Sequence, residues 1–244
     1  MRQTEGAFIV EGAKSVRDLL LHYPERLELL VMAAGYQVRE QAEDREIRLS
    51  VDIPSYSCAD HTFATISDLD VPPGILAIVR QPSWNEEELF NCPTLFGLYG
   101  EELQDPANVG AIIRTAAALN VSALWFTPGS ADIYNPKVVR ATSGALLSLP
   151  VFVAKDATVF LKNKCALFSA EAGARKTVPM ASIQTVPQRM VLAVGNESRG
   201  LSIETTEQAA CRFTIPLSRQ VESLNVAATA AIALYYLGHL PKNS

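Results

Sequence analysis

The chain has 244 residues, 48% of them hydrophobic and 19% charged, which excludes an intrinsically disordered protein and leaves room for one large or two small cores. Its apolar runs break well short of the ~20 residues a membrane-spanning helix needs. The polar start Met1-Arg-Gln-Thr-Glu-Gly6 lacks a secretory signal, so a cytoplasmic protein is expected. The net charge of −5 argues mildly against nucleic acid as a partner. Charge is uneven, however: residues 1–90 hold 8 basic and 16 acidic side chains, the remainder 13 and 10, so a basic face on the second half stays open. Cys58, Cys92, Cys165 and Cys211 are far apart in sequence, with no paired Cys spacing. They read as reduced, buried thiols, and no metal is expected.

Along the chain, Phe8-Ile-Val10 reads as a strand and Lys14 to His22 as a short amphipathic helix. Leu27 to Ala33 and Ile75 to Val79 are further strand-like runs, completing a small α/β unit over residues 1–80. The polar, turn-rich stretch 81–93 reads as a linker. From 94 to 244, apolar runs at Thr94–Tyr99, Ala123–Phe126, Val151–Val153, Ala166–Phe168, Met190–Val194 and Phe213–Ile215 alternate with helical patterns. That alternation predicts a parallel sheet covered by helices. A final helix over about Leu224 to Leu240 is apolar nearly all round, so it belongs in the domain core or a subunit interface.

Three segments place polar residues among small ones, where a core would choose aliphatics. In Asp105-Pro-Ala-Asn108-Val-Gly110-Ala-Ile-Ile-Arg114-Thr-Ala116, Asp105 suits a helix cap and Pro106 its first turn. The free N–H groups of that helix start favour an anion, and Arg114 could add donors to it. The plainer alternative is a capped helix with a surface arginine in an ion pair. In the second segment, a buried-strand pattern runs into Gly195-Asn196-Glu197-Ser-Arg-Gly200, where parallel sheets bind ligands. Leu201-Ser202 follows instead of Lys-Ser/Thr, which rejects a P-loop, and no GxGxxG supports a dinucleotide. In the third, Ile215-Pro216 ends a strand and Glu222-Ser223-Leu224-Asn225-Val226 begins the last helix. Ser223 reads equally as its N-cap; Asn225 falls one turn in, where propensity prefers alanine.

Together, Asn108-x-Gly110-x-x-x-Arg114-x-Ala116, Gly195-Asn196-Glu197-x-x-Gly200 and Ile215-Pro216 to Ser223-Leu224-Asn225-Val226 resemble, in order and spacing, the three motifs of the SpoU (TrmH-like) branch of the SPOUT RNA methyltransferases. The resemblance covers about residues 94–240. The chain departs at Leu119-Asn120-Val121, where the family often has glycine before the second strand; asparagine also tolerates positive φ. The start Phe8-Ile-Val-Glu-Gly12 with Lys14 looks like that of the L30e-like substrate-binding domain found in many members.

The resemblance implies an α/β fold in which a parallel-sheet domain with a deep trefoil knot follows a small L30e-like α/β domain. It implies S-adenosylmethionine bound mainly by backbone groups, with Gly195, Asn196, Ile215 and Leu224 at the cofactor and the Thr142-Ser143-Gly144 turn nearby. The reaction implied is methyl transfer to a ribose 2′-hydroxyl of RNA. Arg114 would stand at the centre, contributed across a homodimer formed through the knot domain and the C-terminal helix, with Asn108, Glu197, Ser223 and Asn225 organising the site. A general-base role has been suggested for this arginine; a guanidinium so reluctant to deprotonate is better suited to stabilising developing alkoxide charge. Lys14 and Arg17 are candidate RNA contacts on the otherwise acidic front domain. Ribosomal RNA is the expected substrate, with transfer RNA, or a non-catalytic RNA-binding factor that kept the fold, as alternatives.

Overall fold

The computed structural model describes residues 6–42, 53–173, 176–218 and 221–243. The chain divides after Ser83 into two compact units. In the first, β1 (Ala7–Glu11), β2 (Leu27–Ala33), β3 (Ser55–Cys58) and β4 (Ile75–Arg80) form a sheet in the order β1-β4-β2-β3. Strand β4 runs antiparallel to β1 and β2, while β3 lies parallel to β2. Helices α1 (Ala13–His22), α2 (Ala34–Ala42) and α3 (Asp60–Ile66) complete the unit. Val16 and Leu19 of α1 are three residues apart and both buried, as an amphipathic stripe requires. Leu30, Phe63, Ile75 and Val79 join them in the core. Strand β3 has no hydrophobic signal in the sequence, because Ser55, Tyr56 and Ser57 of this edge strand are exposed.

The second unit opens inside the stretch read as a linker. Residues Glu86–Asn91 form helix α4, capped by Asn85, whose Oδ1 accepts from the Glu87 and Glu88 amides at 3.1 and 3.4 Å. This helix is docked rather than loose. Glu86 Oε1 accepts from the indole Nε1 of the fully buried Trp125 at 2.6 Å, and Phe90 stacks on the same ring at 5.5 Å. Arg189 adds a second anchor by donating to the Phe90 carbonyl at 2.7 Å and to the Cys92 carbonyl.

Seven strands follow: β5 (Leu95–Gly100), β6 (Ala123–Phe126), β7 (Val151–Val153), β8 (Ala166–Ala170), β9 (Val178–Pro179), β10 (Arg189–Val194) and β11 (Cys211–Thr214). All pair in parallel, in the order β7-β6-β5-β10-β8-β11-β9. Helices α5 (Pro106–Ala118), α6 (Pro136–Thr142), α7 (Thr158–Lys162), α8 (Ile203–Glu207) and α9 (Val226–Gly238) connect or cover them. Every strand expected in this half is present, and Asn120 indeed takes the left-handed turn before β6 (φ 55°). Two expectations need correction. The final helix starts at Val226, so Asn225 precedes it as its cap, and Ser223 lies outside. Of the four cysteines, all free, only Cys165 is buried, while Cys92 is exposed. Among the described residues no helix is long and apolar enough to cross a membrane.

Helix α5 packs against both α6 and α9. Its approach to α6 is set by Gly110: a Cβ there would collide with the Ala141 methyl and lie 3.0 Å from the Val138 carbonyl oxygen. Gly110→Ala should therefore cost about 1–3 kcal/mol of unfolding free energy, by urea denaturation of the full chain. Ala141→Gly in the same background should recover part of the loss, although alone it destabilises a helix interior. Additive losses in the double variant would show that the two helices do not meet there.

Candidate functional site

The registers align the carboxyl ends of neighbouring strands. Val194 of β10 pairs with Gly100 of β5, Ala193 with Ser169 of β8, and Phe213 of β11 with Ala170. Loops leaving β8, β10 and β11 thus emerge together and enclose a cleft of about 780 Å³ lined from 170–173, 194–201, 214–217 and 221–226. Open parallel sheets hold their ligands at this position.

Its mouth is organised by a chain of amide hydrogen bonds that joins all three motifs. Asn225 caps α9, its Oδ1 accepting from the Ala227 and Ala228 amides at 2.9 and 3.4 Å. Its Nδ2 donates to Asn108 Oδ1 at 2.9 Å, and Asn108 Nδ2 donates to Glu197 Oε1 at 2.9 Å. Asn108 is 7% exposed. Leaving so buried an amide unpaired would cost about 1–3 kcal/mol, and here both its ends are satisfied. Three of the residues assigned to catalysis are therefore in direct contact, from positions 89 and 117 residues apart.

The loop after β10 has its own internal bracing. The Gly200 amide donates to the Asn196 carbonyl at 2.9 Å, and Asn196 Oδ1 accepts from the Ser198 and Arg199 amides at 3.0 and 3.1 Å. Its Nδ2 donates to the Glu102 carbonyl at 2.8 Å, and Arg199 pairs with the Glu102 carboxylate, tying this loop to the one after β5. Asn196 lines the cleft while its side-chain amide braces the loop. Gly195 is small for a related reason: a Cβ would overlap the Gly200 and Leu201 backbone. What approaches Gly195 is the chain's own loop.

Gly195, Ile215, Ser223 and Leu224 all line the cleft, Ser223 being exposed. The Thr142-Ser143-Gly144 turn does not. Thr142 is buried and donates to the Val139 carbonyl at 2.7 Å, while Ser143 takes a left-handed conformation past the end of α6. The α5 start is not an open anion site either, because Asp105 Oδ1 already accepts from the Ala107 amide at 2.9 Å and brings its own negative charge. Arg114 lies six residues beyond Asn108, about 9 Å along the helix and ~120° round it. It is exposed and has no partner among the described residues, so it is directed away from its own chain's amide network. Lys14 is exposed on α1 of the other unit, with Arg17 half-buried beside it. Among the described residues no group of three or more His, Cys, Asp or Glu could hold a metal ion.

Residue-type reasoning missed one polar cluster in the cleft wall. Glu171, just past β8, receives a bidentate Arg212 from β11 (Nε to Oε1 2.9 Å, Nη2 to Oε2 2.7 Å) and the hydroxyl of the fully buried Ser169 (2.7 Å). Nothing in the sequence pairs these residues; only the β8–β11 register brings them together.

Comparison with known proteins agrees with this geometry. The chain is 29% identical to the 23S rRNA (guanosine(2553)-2′-O)-methyltransferase RlmP of Bacillus subtilis, over 97% of this chain and 90% of that protein. It is 30% identical to an uncharacterized tRNA/rRNA methyltransferase of Synechocystis, over 96% and 84% respectively. Among solved structures, the SpoU methyltransferase AviRb from Streptomyces viridochromogenes, in complex with the cofactor AdoMet, superposes with a TM-score of 0.79 at 23% identity, covering 96% of this chain and 90% of that one, which shows a common fold. The SpoU rRNA Methylase family model matches residues 96–235, the span that contains the cleft and all three motifs, and the chain belongs to that family.

Proposed function

We propose that this protein transfers a methyl group from S-adenosylmethionine to a ribose 2′-hydroxyl of RNA, with ribosomal RNA as the substrate. The observation that carries the reading is the Asn225–Asn108–Glu197 chain at the mouth of the cleft, since it joins the polar residues of all three family motifs. The cleft suits the cofactor in size, within the ~300–1,000 Å³ usual for small-molecule sites, and in its small-residue, backbone-rich walls. Gly195, Ile215 and Leu224 would hold the cofactor, chiefly through main-chain groups. When bound, S-adenosylmethionine supplies the electrophilic methyl on its sulfonium.

Glu197 is positioned by Asn108 and keeps acceptor capacity toward the cleft, where with Ser223 it orients the ribose. Arg114 of a second copy approaches the phosphate beside that ribose and stabilises the charge that develops on its 2′-oxygen. Two features support a homodimer. Exposed positions on α9 (Ala228, Ile232, Tyr235), continued by its C-cap His239, form a stripe at helical spacing, and on α5 the stripe is Ala107, Arg114 and Ala118. The two helices pack side by side, so both stripes lie on neighbouring elements. A trefoil knot threading the cleft loops, an L30e-like role for residues 1–80, RNA contacts by Lys14 and Arg17, and a cytoplasmic location belong to the same reading.

Incubation with methyl-labelled S-adenosylmethionine and unmodified ribosomal or transfer RNA, followed by digestion to nucleosides, tests the activity. Label should appear as a 2′-O-methylnucleoside from ribosomal RNA. Recovery from transfer RNA alone would reassign the substrate, and cofactor binding without transfer to either RNA would favour a non-catalytic factor. Asn225→Asp separates chemistry from folding. Aspartate still caps α9, so thermal stability should stay near wild type. Its second oxygen faces Asn108 Oδ1, where no proton is available, and transfer should fall by roughly tenfold or more.

Mixing tests the trans contribution. Arg114→Ala and Asn225→Asp homodimers should each be nearly inactive, whereas co-refolded mixtures should regain about a quarter of wild-type activity, because half the dimers are mixed and each has one intact site. No recovery would place Arg114 in its own chain's site. The double change Lys14→Glu and Arg17→Glu should weaken RNA binding several-fold without altering cofactor affinity; unchanged RNA binding would remove both residues from the interface.

A further inference from the structure

Glu171 is not needed by any step above, yet it is the best-ordered carboxylate of the cleft. Its side chain is 10% exposed, whereas Glu197 and Glu222, the other carboxylates of the lining, are exposed. Its position is fixed from three directions. The backbone amide of Glu171 donates to the Phe213 carbonyl at 2.9 Å, Arg212 grips both carboxylate oxygens, and Ser169 donates to Oε1. A carboxylate offers about four acceptor sites, and these contacts use two on Oε1 and one on Oε2. Oε2 therefore retains an acceptor site in the wall of the cleft.

A bridge that served only to join β8 to β11 would need no place in the cleft lining. Resting on the cofactor reading above, we propose that Glu171 is the specificity residue for the ribose diol of S-adenosylmethionine, accepting a hydrogen bond from one of its hydroxyls. Charge selects the hydroxyls over the cofactor's ammonium. Arg212 already neutralises Glu171, so a buried cation beside the pair would lack a counter-charge. A neutral hydroxyl needs only an oriented acceptor, and carboxylates fill this role toward ribose in dinucleotide sites. The bidentate arginine holds that acceptor still, so little side-chain entropy is lost when the ligand arrives.

The test is calorimetric titration of S-adenosylhomocysteine and of its 2′-deoxy and 3′-deoxy analogues into the wild-type protein, Glu171→Gln and Glu171→Asp. Wild type should bind at least one deoxy analogue roughly tenfold to a hundredfold more weakly than the parent, the span of one hydrogen bond to a charged group. Both variants should weaken the parent by a similar factor and lose the discrimination. Aspartate still offers Arg212 a carboxylate, so that variant keeps the strands joined while its acceptor withdraws by one methylene. Equal wild-type affinity for all three ligands, or discrimination retained in either folded variant, would overturn the assignment and leave Glu171 as a strand brace. Failure of wild type to bind S-adenosylhomocysteine at all would overturn the cofactor reading itself, and this one with it.

Discussion

The site depends on a line of hydrogen bonds whose direction is dictated by its two ends. At one end stand the Ala227 and Ala228 amides, which can only donate; at the other stands the Glu197 carboxylate, which as an anion can only accept. Between them, Asn225 must present oxygen to the helix and nitrogen to Asn108, and Asn108 must turn its oxygen to Asn225 and its nitrogen to Glu197. Both amide orientations follow from chemistry, with no ambiguity left for either group. Asparagine is the side chain that can pass a hydrogen bond along in this way over so short a reach. Aspartate lacks the proton, alanine lacks both groups, and glutamine adds a methylene that the 2.9 Å spacings leave no room for.

This line requires three segments distant in sequence to meet, and the strand order brings them together. Because β10 inserts between β5 and β8, the loop after β10 lies beside the loop after β5, which leads into α5 and Asn108. Helix α9 then returns onto both β10 and α5, which brings Asn225 to the same point. Close backbone approach completes the arrangement. Gly195 lets the Gly200–Leu201 turn fold back over it, and Gly110 lets α5 settle on α6. Asn196 and the Arg199–Glu102 pair then fasten the β10 loop to its neighbour. The salt bridge is exposed and contributes little by itself; the partly buried amide of Asn196 is the stronger fastening.

How much of this was legible in the sequence varied with the physics involved. Six of the second unit's seven strands were readable because each is a short apolar run, whereas the two-residue edge strand β9 is exposed and left no signal; Asp105-Pro106 announced α5 through cap chemistry. Strand β3 was not readable, since its serines and tyrosine are exposed and the strand is set by pairing with β2. Helix α4 looked like a linker because its acidic face is solvent-exposed; its anchors are the Phe90 stack, the Trp125 indole and the Arg189 guanidinium, all long-range. Asn108, Glu197 and Asn225 stood out as polar residues in apolar surroundings. Asn196 stood out for the same reason, but residue type could not reveal that its partners are main-chain groups of its own loop. Glu171 and Arg212 were invisible, being 41 residues apart with ordinary neighbours until the β8–β11 register aligns them.

The placement of Arg114 carries a consequence for the assembly. It shares a motif with Asn108, yet helical geometry turns it about a third of a revolution away, and it stands exposed beside alanines. Alanines on a surface helix contribute little solubility and present no bulk, which suits a face that another helix approaches closely. A guanidinium in that setting has no reason to fold back onto its own chain's network, since the carboxylate there, Glu197, is held at Asn108, six residues earlier and on a different face of α5. A second copy related by a two-fold axis would receive Arg114 at its cleft and return its own in exchange, because an isologous interface makes every contact twice. In such an arrangement a monomer has a cofactor pocket and an aligned amide network but lacks the cation for the developing alkoxide, so association and catalytic competence become one equilibrium.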